Sequence, residues 1–329
     1  MAADWAAVHD ALGREVDRTV GVLRTVGRPA AAAVGEWSAV EVAVHLSQAW
    51  VVVPGLARRD PSGIADVLPG MDGVTGPSLI ADLWDLAAVT KDGVRSDPER
   101  DLTVIAGRIE QRAEGFLAGC AGLDPDEPRP WIVQGTTVPR GALAGHLLNE
   151  TVMHGADVAR ADGRPWTIDR RSAALIIEGF FVPVLAALPP TALVDQARAG
   201  GVRAVYQVEL RGGGAFRLRF DDGAVHVGPP WGGAVDCRVS ADPAALLEVM
   251  WGRASQWRAI AGGRLVAWGR RMARSPAAAD AAQPVAAATP GGAAWGHGPS
   301  PPRLRPVGGG RRRGRRRLLV GGRRPAGRP

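Results

Sequence analysis

The chain has 329 residues and a hydrophobic content of 46%, which allows two domains with separate cores and excludes a chain that is disordered throughout. Its net charge of +7 is unevenly placed, because residues 274–329 carry +11 and residues 1–273 carry −4. Residues 1–273 are therefore mildly acidic, which argues against nucleic-acid binding by this part of the chain. Arginine outnumbers lysine by 39 to one, a GC-rich codon bias that indicates a high-GC bacterial source.

The cysteine content and the apolar stretches bear on the compartment. Cys120 and Cys237 are too few for a disulfide framework and lack the spacing of a thiolate metal site, so we expect buried, reduced thiols. The N-terminus has no basic region followed by an apolar run, and the longest apolar stretch, near Ile176 to Leu188, contains Glu178 and Pro183. We expect a cytoplasmic protein that is neither secreted nor embedded in a membrane.

The first half of the chain has the hydrophobic periodicity of long helices. An apolar stripe predicts a helix from Trp5 to Val26, and Ser38 with Glu41 forms the capping box of a second helix, Ala39 to about Val53. A Gly/Pro-interrupted segment with a short helix around Leu79 to Val89 follows and is a candidate lid. The third and fourth helices are predicted at 98–117 and at 139–161, with Pro139 as a first-turn residue and Asp162-Gly163 as the stop. These helices predict a bundle over residues 1–165.

The second half of the chain changes its period. After an apolar helix at 171–188, alternating segments predict a small antiparallel sheet, followed by two helices and a last strand. We expect an α+β domain over residues 166–273. Its predicted strands are 202–210, 215–220, 224–227 and 264–268, and its predicted helices are 242–250 and 255–261.

Residues 274–329 are rich in Ala, Pro, Gly and Arg and have almost nothing to bury, so we expect a disordered tail. Two interpretations are open: an arginine-rich arm for nucleic acid or a membrane surface, or an incidental tail, including a frameshifted end of a GC-rich reading frame. The second is favoured because residues 1–273 offer no matching basic face.

One constellation carries chemistry. Glu150 and His154 lie four residues apart on the apolar stripe of the fourth helix, so both reach one point in front of it. A buried carboxylate needs a partner, and a cation supplies one. The apolar face of the second helix adds His45. Two imidazoles and one carboxylate suit Zn²⁺ or a similar first-row ion, and three protein ligands leave positions open for a thiol or water.

Two neighbours leave alternatives open. His146 precedes Glu150 by four residues and either replaces a member of the trio, joins it or takes no part. Asp157 either orients a ligand as a hydrogen-bond acceptor or forms a surface ion pair with Arg160.

Two segments on these helices carry a resemblance: WSAVEVAVHL from Trp37 to Leu46, and ETVMHGADVARA from Glu150 to Ala161. They are similar to the metal-ligand segments of the mycothiol-dependent maleylpyruvate isomerase family of actinobacteria, whose N-terminal domain is a DinB-like four-helix bundle. The stretch from Asp242 to Gly269, with WGRASQWR from Trp251 to Arg258, resembles the end of that family's sterol-carrier-like C-terminal domain.

The resemblance implies a function. The metal would bind and acidify the thiol of mycothiol for addition to maleylpyruvate or another small electrophile, and an arginine of the C-terminal domain would bind the anionic substrate. Arg253 is the candidate for this catalytic arginine, followed by Arg258 and Arg264. The alternative hypothesis is a non-catalytic protein in which the sterol-carrier-like domain holds an apolar ligand and the metal only braces the bundle. Nucleic-acid binding through the tail ranks last.

Overall fold

The N-terminal part of the chain is helical. The computed structural model describes residues 4–60, 62–68, 83–120, 122–133, 135–195 and 199–269. The helices of the N-terminal part are α1 (Trp5–Leu23), α2 (Ala39–Arg58), α3 (Ile64–Val67), α4 (Leu83–Ser96), α5 (Leu102–Cys120) and α6 (Arg140–Ala161). Two short antiparallel pairs precede α2 and α6, namely β1 (Ala32–Val34) with β2 (Trp37–Ser38) and β3 (Pro128–Pro130) with β4 (Thr137–Pro139).

Four long helices pack on one another. Helices α1 and α2 each contact both α5 and α6, and α6 is buried along almost its whole length. Small residues allow this: a Cβ on Gly155 would lie 2.4 Å from Thr19 Oγ1 of α1. The close approach sets α1 directly beside the turn of α6 that carries His154.

The ends of several helices differ from the sequence predictions: α1 ends at Leu23, before the predicted Val26, and α4 extends to Ser96, beyond the predicted Val89. Helix α2 begins at the predicted capping box but continues to Arg58 with Pro54 inside it, because Val53, Leu56 and their neighbours remain buried there. Helix α5 begins at Leu102, not at Pro98. Asp101 Oδ1 accepts from the N–H groups of Thr103 and Val104, at 2.8 and 3.4 Å, and so caps the helix four residues later than expected.

The C-terminal part is α+β, so the chain has the predicted mixed α and α+β architecture. Its helices are α7 (Arg170–Ile176), α8 (Val182–Ala187), α9 (Pro243–Met250) and α10 (Gln256–Ala261), and a 3₁₀ turn spans Pro190–Leu193. Its strands are β5 (Arg203–Leu210), β6 (Ala215–Asp221), β7 (Val225–Gly228), β8 (Cys237–Ala241) and β9 (Leu265–Gly269).

These five strands form one sheet in the order β7-β6-β5-β8-β9. The predicted antiparallel pairing of β5, β6 and β7 is confirmed. The whole sheet is mixed, however, because β8 pairs parallel with β5, from Tyr206 opposite Cys237 to Leu210 opposite Ala241. Strand β8 itself was missed. It is short and follows a Gly/Pro-rich link, so its alternation of Cys237, Val239 and Ala241 gave only a weak signal.

The predicted helix at 171–188 is interrupted by a π-helical turn, Ile177–Phe181, between α7 and α8. Pro183 near the start of α8 has no N–H to donate, so a regular α-helix would lose a hydrogen bond there, and the wider turn lies just before it. This turn packs against α6, where a Cβ on Gly145 would lie 3.0 Å from the carbonyl carbon of Gly179.

Polar contacts tie α6 and α7 to the region of α9. Arg160 of α6 pairs with Glu248 at 2.5 Å, and Arg170 of α7 pairs with Asp242, the N-cap of α9. In the same region the residues that follow α9 lie against α6.

Three further predictions concern the cysteines, a membrane span and the C-terminal tail. Cys120 and Cys237 are both buried and free, as expected. By length and composition α2 alone among the described helices is apolar enough to cross a membrane, but 83% of the apolar window is buried, as in a core helix, so a membrane span is not indicated. The predicted tail, residues 274–329, lies outside the described residues, and the boundaries near 165 and 273 stay predictions.

Candidate metal centre

Helices α2 and α6 bring three donor side chains to one point. His45 Nε2 lies 3.2 Å from Glu150 Oε2, and His154 Nε2 lies 3.2 Å from the same oxygen. The donor atoms of the three residues all lie within 4.8 Å of one another. This arrangement follows from the sequence, because the spacing of four residues places Glu150 and His154 on one face of α6 and the apolar face of α2 turns His45 toward it.

The three side chains are buried, and their donors suit a divalent cation. His45, Glu150 and His154 are 7%, 4% and 0% exposed. His154 Nε2 points at the cluster, but despite its 3.2 Å distance from Glu150 Oε2 it lacks the geometry of a hydrogen bond with any described residue. A buried nitrogen without a partner is costly, and coordination of a metal would satisfy it. Two imidazole nitrogens and a carboxylate are a donor set that Zn²⁺ accepts.

The electrostatics of the cluster favour a charged carboxylate. Burial acts to raise the pKa of Glu150, but the imidazoles of His146, His154 and His45 outweigh it and hold that pKa well below its usual range. Burial lowers the pKa of His45. Burial also acts to lower the pKa of His154, but the carboxylates of Asp157 and Glu150 prevail and raise it to about 9. Glu150 is therefore an anionic acceptor at neutral pH.

His146 lies on the other side of Glu150. Its Nε2 is 3.4 Å from Oε1, whereas His45 and His154 approach Oε2. The imidazole of His146 stacks on Phe180 of the π-turn, with 4.5 Å between the ring centroids and 3° between the planes. Among the described residues, the group of converging donors contains His45, Glu150 and His154 without His146.

Asp157 orients His154. Its Oδ2 lies 3.3 Å from His154 Nδ1, and its side chain is 2% exposed. Burial acts to raise the pKa of Asp157, but His154 and Arg253 outweigh it and lower that pKa. Of the two interpretations of Asp157, the geometry therefore supports the hydrogen-bond acceptor, since Arg160 pairs with Glu248 instead.

The three arginine candidates lie in different places. Arg253 reaches the cluster region, where its Nε and Nη2 donate to the two oxygens of Asp157 at 2.8 and 2.9 Å. Arg258 is exposed on α10, and Arg264 pairs with Glu248 at 3.7 Å.

Sequence reasoning missed Asn149 and Trp251. Trp251 Nε1 donates to Asn149 Oδ1 at 2.9 Å, and Asn149 Nδ2 donates to Glu150 Oε1 at 3.3 Å. The indole also meets the His154 ring edge-on, with 5.6 Å between centroids. The available signal in the sequence was only an asparagine directly before a predicted ligand, because its burial, which requires partners for the amide, is seen only in the structure.

A narrow pocket of about 60 Å³ opens beside the cluster. Its wall is mostly apolar, but Gln48 donates to the carbonyl of Gly93 at 2.9 Å while its own Oε1 has no partner among the described residues. The lining residues are His45, Gln48, Ala49, Val52, Val53, Leu68, Thr90, Ile132, His146 and Glu150. The pocket gives a small molecule access to the carboxylate and to two of the imidazoles.

A second cavity, of about 210 Å³, lies in the C-terminal part and is lined by apolar side chains alone. It is larger than the ~150 Å³ apolar cavities that are known to hold benzene. Its walls come from the π-turn, α8, the 3₁₀ turn, α9 and the sheet: Ile177, Phe181, Val182, Leu185, Leu193, Val208, Phe216, Leu218, Phe220, Val225, Val227, Leu246 and Met250.

The fold and the two sites define a two-part protein, with a buried histidine–carboxylate cluster in helices and an apolar cavity in an α+β part. Residues 185–273 match the SCP-2 sterol transfer family. A solved UbiJ-SCP2 ubiquinone synthesis protein is 30% identical over 26% of this chain and 71% of that chain, with a TM-score of 0.20. Over residues 185–273 the chain therefore belongs to the SCP-2 sterol transfer family.

Similarities that cover more of the chain have lower sequence identity. Two crystal structures of a mycothiol-dependent maleylpyruvate isomerase, one of them a variant, are 11% and 12% identical. They cover 80% and 77% of this chain and 92% and 90% of their own, each with a TM-score of 0.45. A search of curated proteins found no match.

Proposed function

We propose that the chain is a metal-dependent isomerase or S-transferase that uses a small-molecule thiol, mycothiol, against a small electrophile such as maleylpyruvate. The observation that carries the proposal is the convergence of three buried donors within 4.8 Å, beside a pocket that reaches Glu150. We infer that Zn²⁺ is held by His45, Glu150 and His154. The choice of thiol rests on the resemblance of the segments at 37–46 and 150–161 to the isomerase family.

The proposed chemistry divides between the bound groups and the chain. When bound, the metal would supply positive charge that lowers the pKa of a thiol, and the thiol would supply a nucleophile for a conjugated double bond. Glu150 compensates part of the metal charge, and Asp157 fixes the His154 ring. His146 lines the same pocket but is not one of the three donor residues. We therefore propose that its imidazole accepts the proton that the thiol releases.

The proposal also covers the type of each domain and the cellular location. We infer that α1, α2, α5 and α6 form a DinB-like four-helix bundle, and that the C-terminal part is a sterol-carrier-like domain. A cytoplasmic location agrees with the two free, buried cysteines. The role of Arg253 in binding an anionic substrate stays a prediction.

Elemental analysis tests the metal site. The purified protein should carry about one equivalent of a divalent metal, and His45→Ala and His154→Ala should lose it, because each removes a ligand from a three-ligand site. His226→Ala, on strand β7 of the sheet, is the matched control and should retain the metal. Equal metal content in all four proteins would exclude the assigned ligands.

The reaction is tested with metal-loaded protein, mycothiol and maleylpyruvate. We expect loss of maleylpyruvate only when both the metal and the thiol are present. If there is neither turnover nor a thiol adduct with any other electrophile, the enzymatic proposal is wrong.

A second candidate function is favoured by the apolar cavity. Its lining has the character of a site for a lipid-like molecule, in which case the metal only braces the helices. Native mass spectrometry distinguishes the two: a co-purifying apolar ligand in a protein without thiol-dependent turnover supports this second function.

A further inference from the structure

The three residues that follow α9, called here the Trp251–Arg253 segment, touch the helical part at two points. Trp251 is 1% exposed and Asn149 is fully buried, so their hydrogen bond of 2.9 Å lies away from solvent. Arg253 contacts Asp157 through a two-pronged ion pair in which Asp157 is 2% exposed. Both partners on α6 adjoin a member of the cluster.

Each contact continues to a donor residue. From Trp251 the hydrogen bonds pass through the Asn149 amide to Glu150 Oε1, which is the oxygen that His45 and His154 do not approach. From Arg253 they pass through Asp157 to His154 Nδ1, which leaves Nε2 directed at the cluster. Groups behind a metal ligand fix its orientation and its basicity.

Each of the three guanidinium nitrogens of Arg253 binds a protein acceptor. Its Nε and Nη2 bind Asp157, and its Nη1 donates to the carbonyl of Trp251 at 2.9 Å. Its side chain is 11% exposed. A guanidinium binds a carboxylate in bidentate fashion through one edge of its fork, and Asp157 occupies the Nε–Nη2 edge of Arg253.

We propose that Arg253 and Trp251 are positioning residues of the metal centre: the C-terminal part holds His154 and Glu150 in place through Asp157 and Asn149. This inference rests on the proposed metal site and assigns Arg253 a role other than binding substrate. A complete metal centre then requires both parts of the chain.

The test measures zinc affinity by competition with a chelator and records the visible spectrum of the Co²⁺-substituted protein. Arg253→Gln and Asp157→Asn should each weaken zinc binding about 10- to 100-fold and shift the Co²⁺ bands, because His154 loses its orientation. The double variant should bind no more weakly than Asp157→Asn alone, since Arg253 acts through Asp157. Arg253→Lys should recover part of the loss by keeping the charge, and Trp251→Phe should also weaken binding while keeping an aromatic ring beside His154.

Arg160→Gln is the matched control. It removes another ion pair between α6 and the region of α9, Arg160 with Glu248, but contacts no donor residue. Its zinc affinity and Co²⁺ spectrum should stay within about twofold of the wild type. Each variant is first shown to be folded by circular dichroism.

Three results would overturn the inference. One is an Arg253→Gln protein with unchanged affinity and spectrum, and another is an Arg160→Gln protein that loses as much affinity as Arg253→Gln. The third is an Arg253→Gln protein in which only the KM for the electrophile rises, because this result identifies a substrate-binding arginine. A wild-type protein that binds no metal removes the proposed function as well, whereas the other three outcomes leave it intact.

Discussion

The two buried sites of this chain differ in what their walls offer. The cluster on α2 and α6 presents charged and polar atoms that converge on one point. The contacts among these atoms, and the hydrogen bonds that involve Asp157 and Asn149, offset the free energy that their burial costs. The cavity of the C-terminal part presents apolar side chains only and is more than three times larger than the pocket beside the cluster, at about 210 against 60 Å³. A site of the first kind selects a ligand by charge and geometry, and one of the second kind selects by size and shape.

The largest expected effect is the loss of zinc affinity when Glu150 loses its charge but keeps its shape. Glu150→Gln keeps the size of the side chain but removes the negative charge, so we expect zinc affinity to fall by more than about 100-fold, beyond the usual effect of a supporting residue. A chelator competition titration measures the loss. Glu15→Gln, another buried glutamate of the helical part, which contacts Ser172, is the control and should bind zinc normally.

A pH titration tests the protonation of the cluster. Because the pKa of His154 is raised to about 9, its Nε2 must lose a proton before it can bind a metal at neutral pH. Zinc affinity should therefore rise about tenfold per pH unit from pH 7 to about 9. Calorimetry in buffers of different ionisation enthalpy should show release of about one proton at pH 7, and no release would contradict a protonated His154.

The metal-free protein should respond to pH in the opposite direction. A pKa that is raised in the folded state stabilises the fold fully below the unfolded value near 6.5, and this stabilisation is lost as the pH rises through about 9. Thermal unfolding of the metal-free protein should therefore occur at lower temperature at pH 9.5 than at pH 7. His154→Ala should reduce this difference.

A substitution in the cavity should leave the cluster unchanged. Leu218 lines the cavity from strand β6, and Leu218→Trp fills part of the space. We expect the affinity for an apolar fluorescent probe to fall about tenfold, a change of ~1.4 kcal/mol, with no change in metal content. If probe binding is unchanged, the probe does not occupy this cavity.

The smallest expected effect concerns the helix that carries His45. Ser38→Ala removes the capping box of α2 and should lower the free energy of unfolding by about 1 kcal/mol, measured by urea denaturation. Metal stoichiometry should stay the same. A loss of metal as well would mean that the start of α2 also positions His45.

The sequence predicted those features that depend on local spacing. The stripe of α6 placed Glu150 and His154 on one inward face, and Ser38 with Glu41 predicted the start of α2. Pairings between distant segments were harder to predict. The parallel partner of β5 lies beyond a Gly/Pro-rich link, and the contact of Trp251 with Asn149 joins residues 102 positions apart, so no local period reports either of them.

The same limit applies to the orientation of Arg253. Sequence resemblance singled it out as an arginine for substrate, but its direction depends on how α9 docks on α6. That docking brings together residues far apart in the chain, as in the ion pairs of Arg160 with Glu248 and of Arg170 with Asp242, and neither pair has a signature in the sequence.

The π-helical turn has a thermodynamic consequence, because its two faces serve different sites. Ile177 and Phe181 face the apolar cavity, while Phe180, between them in sequence, stacks on His146. A molecule in the cavity that shifts this backbone also shifts the ring of Phe180, which stacks on His146 beside Glu150. Thermodynamic coupling between two binding sites is reciprocal. If a molecule in the cavity changes the affinity for the metal by some factor, the metal must change the affinity for that molecule by the same factor.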